Sequence, residues 1–213
     1  MNVVVQQVQC RAGENTREYE RMLSARAHRI AERLARRLCG AWTIIRHEAS
    51  GRPVVVDAHT RRTMPGWSVS ISHTEGLVAC AMSAAPIGID VEGVRFPTAG
   101  VLRHCFSADE RASIRASDTR RASEYASGLW TLKEAYGKLI GLGLRDLALI
   151  RACNPAFCRD RGLEVCQMTL RSHGRRYRCS IVHGTAASRH AQHATTAHST
   201  YQSSEDTTEG EQQ

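Results

Sequence analysis

Ile87-Gly88-Ile89-Asp90-Val91-Glu92, with Pro86 immediately before it, is the stretch from which the fold is read. Its alternating apolar residues predict a strand, and on a strand Asp90 and Glu92 point to the same side, where two carboxylates can share one cation. Pro86 punctuates the chain there. On either side of it the pattern gives a helix and several strands, in blocks rather than strict alternation, which favours an α+β class.

Working outward, Met1 to Gln9 is valine-rich and suits a first strand. From Arg17 to Leu38, Ala27, Ile30, Ala31, Leu34 and Leu38 recur at helical spacing, with arginines over the other faces. Gly51-Arg52-Pro53 marks a turn before the apolar run Val54 to Val56. Val69 and Ile71, then Leu77 to Met82, read as strands separated by Ser72-His73-Thr74-Glu75-Gly76. Helices are expected around Asp109 to Ser117 and from Ala122 to Ile140, the second with Leu129, Leu132, Tyr136 and Leu139 on one face. Gly141 and Gly143 close it, and Leu163 to Leu170 with Tyr177 to Val182 form an expected hairpin around Ser172-His173-Gly174. The expected units are residues 1–86, residues 87–184, and a disordered tail over 185–213, too polar to offset its ordering entropy.

The chain of 213 residues carries a net charge of +8, and without the four acids after Arg189 the first 189 residues carry +12. Such a surface attracts polyanions in general: nucleic acid, an anionic nucleotide cofactor or an acidic protein. Only Lys133 and Lys138 among the 29 basic residues are lysines, five apart in one helix, a placement that fits sites needing a compact ammonium. The eight cysteines form no C-x-x-C pair and read as buried reduced thiols; Cys153, Cys158, Cys166 and His173 are the metal-binding alternative. No apolar run approaches the ~20 residues of a membrane span, and the N-terminal residues lack a signal-peptide pattern, so a cytoplasmic protein is expected.

Beyond Asp90 and Glu92, the helical acid Glu134 is a third candidate for a shared cation, and oxygen ligands of this kind suit Mg²⁺. Glu134 and Lys138 are neighbours on one helix side, as a salt bridge or as a metal ligand beside a phosphate-binding lysine. Ser72 and His73 sit at an expected strand end followed by a Gly-containing turn, and a histidine there is a candidate donor to phosphate, or a turn residue capping its own backbone. Neither of the common Gly-rich nucleotide loops is present.

Ile87 to Glu92, followed some forty residues later by Leu129-Trp130-Thr131-Leu132-Lys133-Glu134-Ala135-Tyr136-Gly137-Lys138, resembles the paired signature of 4'-phosphopantetheinyl transferases. Ser72-His73-Thr74, Gly51-Arg52-Pro53 and Ala27-His28-Arg29 are similar to further elements of the larger, surfactin-synthetase-activating type, in the same order. Arg52 stands where that type usually has lysine, Val69 where an aromatic is common and Thr74 where a second serine is usual. The resemblance implies two similar α+β lobes with the site in the cleft between them. It also implies Mg²⁺ held by Asp90, Glu92 and Glu134, phosphates met by Lys138 and His73, the nucleotide placed with Ser72, and its 3'-phosphate end met by Arg29 and Arg52. Glu134 is then the base for a carrier serine, coenzyme A the co-substrate, and an acidic acyl or peptidyl carrier protein the partner. The expected protein is a monomer, with no nucleic acid or membrane partner. The rival readings are a basic nucleic-acid-binding protein and another Mg²⁺-dependent nucleotide-processing enzyme.

Overall fold

The structure, a computed structural model, describes residues 1–9 and 16–185; Cys10, the tail histidines and nearly all of the expected tail lie outside the described residues. Before Pro86 come β1 (Asn2–Gln7), α1 (Thr16–Cys39), β2 (Thr43–His47), β3 (Pro53–Asp57), β4 (Ser68–Thr74) and β5 (Leu77–Ser83). After it come β6 (Ile87–Gly93), α2 (Ala99–Cys105), α3 (Ala108–Ala116), α4 (Thr119–Ile140), α5 (Leu147–Ala152), α6 (Pro155–Asp160), β7 (Leu163–Ser172) and β8 (Arg175–Gly184). The class is α+β: two three-stranded antiparallel sheets, β1-β5-β4 and β6-β8-β7, and the β2-β3 hairpin, with helices in blocks.

Strand β5 shows how the layers are built. All seven of its residues are buried, because both of its faces are covered. Val78, Cys80 and Met82 pack on the apolar side of α1 with Leu23, Ala27, Ile30 and Leu34. Leu77, Ala79 and Ala81, on the other face, pack against Ile89 and Val91 of β6 and Cys179 and Ile181 of β8. A third cluster forms where α4 presents Leu132, Tyr136 and Leu139 to Phe106, Ile150 and Val182. The amphipathic readings of α1 and α4 follow this pattern.

Two contacts fix where β6 sits. On its α4 side, a Cβ on Gly88 would overlap the carbonyl oxygen of Ala135 and lie 2.8 Å from the Leu139 nitrogen, so only glycine permits this backbone approach. Along its free edge, β6 meets β4 through side chains rather than a backbone ladder. The amide groups of Ile87, Ile89 and Val91 donate to the hydroxyls of Ser68, Ser70 and Ser72 at 3.2, 3.0 and 3.2 Å. Three serines at alternate positions of one strand thus satisfy three otherwise orphaned donors of the other.

That seam corrects the sequence reading of Ser72-His73-Thr74 as an interruption. All three belong to β4, and the turn reduces to Glu75-Gly76, because the β6 amide edge satisfies polar residues that look like loop. Strand β2 and helices α2, α5 and α6 were not read from the sequence; the three helices are only six or seven residues long, too short to show a period. Five cysteines are buried as expected, but Cys166 is exposed on β7. Among the described residues no group of three His, Cys, Asp or Glu side chains stands ready to hold a metal, so the Cys153, Cys158, Cys166 and His173 alternative does not assemble. Cys153 and Cys158 do lie together, with sulfurs 3.8 Å apart. None of the described helices is long and apolar enough to cross a membrane.

Lys133 is fully buried. Its ammonium lies 3.1 Å from the Glu110 carboxylate and donates to the carbonyls of Ile150, Arg151 and Cys153 at 3.1, 3.1 and 2.6 Å, gathering α3, α4 and the end of α5 at one point. A guanidinium fork would not converge its donors on one point in this way. Replacing Lys133 by Met should lower stability by about 3–5 kcal/mol in urea denaturation, because it strands the Glu110 charge, and adding Glu110→Gln should recover part of that loss. Gly88→Ala should cost at least about 1–3 kcal/mol in the same measurement, since neither backbone can yield.

Candidate active site

Gly88, Asp90 and Glu92 share one face of β6, so the backbone approach at Gly88 carries both acids to the side of α4 on which Glu134 and Lys138 project. Lys138 Nζ reaches Asp90 Oδ1 at 2.7 Å and the Ile89 carbonyl at 3.3 Å. Ser72 donates to the same Oδ1 at 2.8 Å, and Thr74 donates to Glu92 Oε2 at 3.3 Å. Arg95 lies 3.6 Å from the same Glu92 oxygen. Asp90 is buried, Glu92, Glu134 and Lys138 half-buried.

The electrostatics carry the mark of crowded negative charge. Burial, then the charges of Asp90 and Glu92, push the Glu134 carboxyl up to about 7 against the opposing pull of Lys138. Burial and the Asp90 charge also raise Glu92, with Arg95, Thr74 and Lys138 opposing. His73 is lowered, first by burial and then by the Lys138 ammonium, which favours its neutral form.

Asp90 Oδ2 is buried without a hydrogen-bond partner. A carboxylate oxygen accepts only, so Oδ2 calls for a cation or a donor supplied from outside. Asp90, Glu92 and Glu134 do not come together as a three-ligand metal group, and no such group of His, Cys, Asp or Glu side chains occurs among the described residues. Mg²⁺ asks for less: one or two protein carboxylates, with waters and substrate phosphates completing its shell. The buried, partnerless Asp90 Oδ2 and the neighbouring carboxylate of Glu92 fit such an ion.

Lys138 also lines a cavity of about 280 Å³, with Arg52, His73, Ser24, His47, Ser50 and Ile71; none of the three acids lines it. Arg52 enters from the turn before β3 and packs over Gly141, whose φ of 75° caps α4. Ser72 is buried against Asp90 and is not among the lining residues. Arg29 lies on the exposed side of α1, about 200° around the helix from buried Ala27, and does not line the cavity either. Sequence reasoning missed His47, whose ring lies 5.4 Å from that of His28 in the Ala27-His28-Arg29 element. Its one signal was the adjoining Gly51-Arg52-Pro53 turn. A second cavity, of about 210 Å³, lies on the Glu92 side, between Arg95, Phe96, Pro97, Val101 and Trp130.

A family model described as the 4'-phosphopantetheinyl transferase superfamily matches residues 86–201, more than half of the chain and the part that carries Asp90, Glu92, Glu134 and Lys138. The chain belongs to the 4'-phosphopantetheinyl transferase superfamily.

Individual members of that superfamily align over shorter stretches. The 4'-phosphopantetheinyl transferase psf-1 of Bacillus pumilus is 34% identical over 101 residues, covering 47% of this chain and 41% of its own. The 4'-phosphopantetheinyl transferase Sfp of Bacillus subtilis strain 168 is 32% identical over 94 residues, 44% of this chain and 39% of its own. The 4'-phosphopantetheinyl transferase gsp of Aneurinibacillus migulanus is 32% identical over 75 residues, 35% and 32% of the two chains. The matched region thus spans about two-fifths or less of these curated relatives.

The raised Glu134 gives a stability test whose sign is fixed. The folded state holds this proton up to about pH 7 whereas the unfolded chain releases it near its ordinary value of 4.5, so this group's contribution to stability is present at low pH and lost as pH rises through 7. In EDTA, Glu134→Gln should therefore melt at least about 2 °C above wild type at pH 8, with the gap closing toward pH 5, as read by thermal denaturation.

Proposed function

We propose that the protein transfers the 4'-phosphopantetheine group of coenzyme A to a serine of an apo acyl or peptidyl carrier protein, in a Mg²⁺-dependent reaction that releases adenosine 3',5'-bisphosphate. The observation that carries this reading is the buried, partnerless Asp90 Oδ2, in a cluster with Glu92, Glu134 and Lys138, whose lysine also lines the cavity that presents Arg52 and His73. An isolated carboxylate pair would fit many roles; a carboxylate cluster joined through Lys138 to a cavity with an arginine and a histidine fits a metal-bound pyrophosphate.

In this reading residues 1–86 and 87–184 form two lobes, and the site lies in the cleft between them. Their separate helix-on-sheet cores and the apolar layer shared by β5, β6 and β8 support it. Mg²⁺, bound by Asp90, Glu92 and Glu134, would offset charge on the pyrophosphate oxygens. Lys138 and His73 would hold those oxygens, and Arg52 the 3'-phosphate end of the nucleotide; an arginine there serves in place of the more usual lysine because its fork binds phosphate. Arg29, outside the cavity wall, would act only from the mouth. The cavity on the Glu92 side would take the pantetheine arm.

The carrier serine oxygen forms its bond to the β-phosphorus as the bond to the bridging oxygen breaks, and adenosine 3',5'-bisphosphate leaves. Glu134 would accept the serine proton as general base. Most of the acceleration would come from positioning and from preset charge. Acidic carrier surfaces would be drawn in by the positive charge of the first 189 residues.

Incubation with coenzyme A, Mg²⁺ and an apo carrier protein should raise the carrier's intact mass by one phosphopantetheine arm. Asp90→Ala and Glu134→Ala should each slow that gain by about 10²–10⁴-fold. No mass gain with wild-type protein across apo fatty acid, polyketide and peptide carriers would count decisively against the assignment.

A further inference from the structure

The two hydroxyls that β4 offers to β6 stand in a regular relation to the two acids. Ser72 donates to Asp90 and Thr74 to Glu92, each pair eighteen residues apart and each two residues on from the other. Ser72 is itself fixed, because its oxygen accepts the Val91 amide at 3.2 Å and it is only 5% exposed. Its hydroxyl hydrogen is therefore committed to Asp90 Oδ1, the same oxygen that takes the Lys138 ammonium. With Oδ1 held from two sides, the carboxylate cannot rotate without breaking both bonds, and Oδ2 is left as the oxygen without a partner.

We infer that Ser72 and Thr74 are positioning residues that orient the Asp90 and Glu92 carboxylates toward the cation, so that strand β4 preorganises a metal site whose ligands lie on β6 and α4. The Ser-His-Thr element then divides its labour by strand alternation. His73 points to the cavity, while Ser72 and Thr74, on the opposite face, point to the acids. Outer groups of this kind change metal affinity by about 10–100-fold when removed. Thr74 in place of the usual serine keeps the hydroxyl and restricts its rotation, which suits a fixed donor. The inference rests on the metal reading proposed above.

The test separates metal binding from nucleotide binding. Mn²⁺ affinity is measured by its paramagnetic resonance signal on the full chain without coenzyme A, and adenosine 3',5'-bisphosphate affinity by calorimetry in EDTA. Ser72→Ala should weaken Mn²⁺ binding by about 10–100-fold and leave nucleotide affinity within about twofold; Thr74→Val should do the same more mildly, and Ser72→Thr should restore much of the loss. Thermal melting in EDTA checks that each variant is folded, and Thr74→Val carries the test should Ser72→Ala fail to fold.

If Ser72→Ala and Thr74→Val bind Mn²⁺ as wild type does, or if Ser72→Ala instead loses the nucleotide in EDTA, the inference is overturned while the transferase reading stands. Wild type that binds no Mn²⁺ would overturn both the inference and the metal reading beneath it.

Discussion

The candidate site depends on a backbone lying against a backbone. At Gly88 strand β6 approaches α4 so closely that no side chain fits between Gly88 and the Ala135 carbonyl. A side chain there would push the strand away by the width of a methyl group and carry Asp90 off Lys138, now 2.7 Å apart. Because α4 spans Thr119 to Ile140 and is anchored elsewhere by Lys133, the approach is between two stiff bodies, and the geometry of the acids follows from it.

The second constraint is the serine seam. A backbone ladder between β4 and β6 would have merged the two sheets and taken the Val91 amide away from Ser72. Side-chain oxygens satisfy the same amides and leave a hydroxyl hydrogen to donate onward, which a peptide carbonyl cannot do. Ser68 and Ser70 use the arrangement for structure alone; Ser72, at the end of the row, extends it to Asp90.

Much of this was legible in the sequence because period and residue type report directly on it. The burial of α1 and α4 follows from apolar spacing, and the shared side of Asp90 and Glu92 from strand alternation. The exceptional status of Lys133 and Lys138 came from composition, and both prove to be ammonium groups converging on several oxygens. The seam was illegible, because Ser-x-Ser-x-Ser between apolar residues reads as a wet strand face until its partner edge is known. His47 and the second cavity were hidden for the same reason: they join residues far apart in the chain, and no local pattern records which distant elements meet.

The scarcity of lysine has a practical side. In the whole chain there are two side-chain amines, one of them sealed inside the protein and the other with its side chain 29% exposed beside Asp90. Amine-selective reagents, whether acylating dyes, cross-linkers or resins for immobilisation, therefore find Lys138 as the one accessible side-chain amine. Surface attachment through side-chain amines would tether the molecule beside Asp90, whereas arginine-directed chemistry would scatter over the exterior.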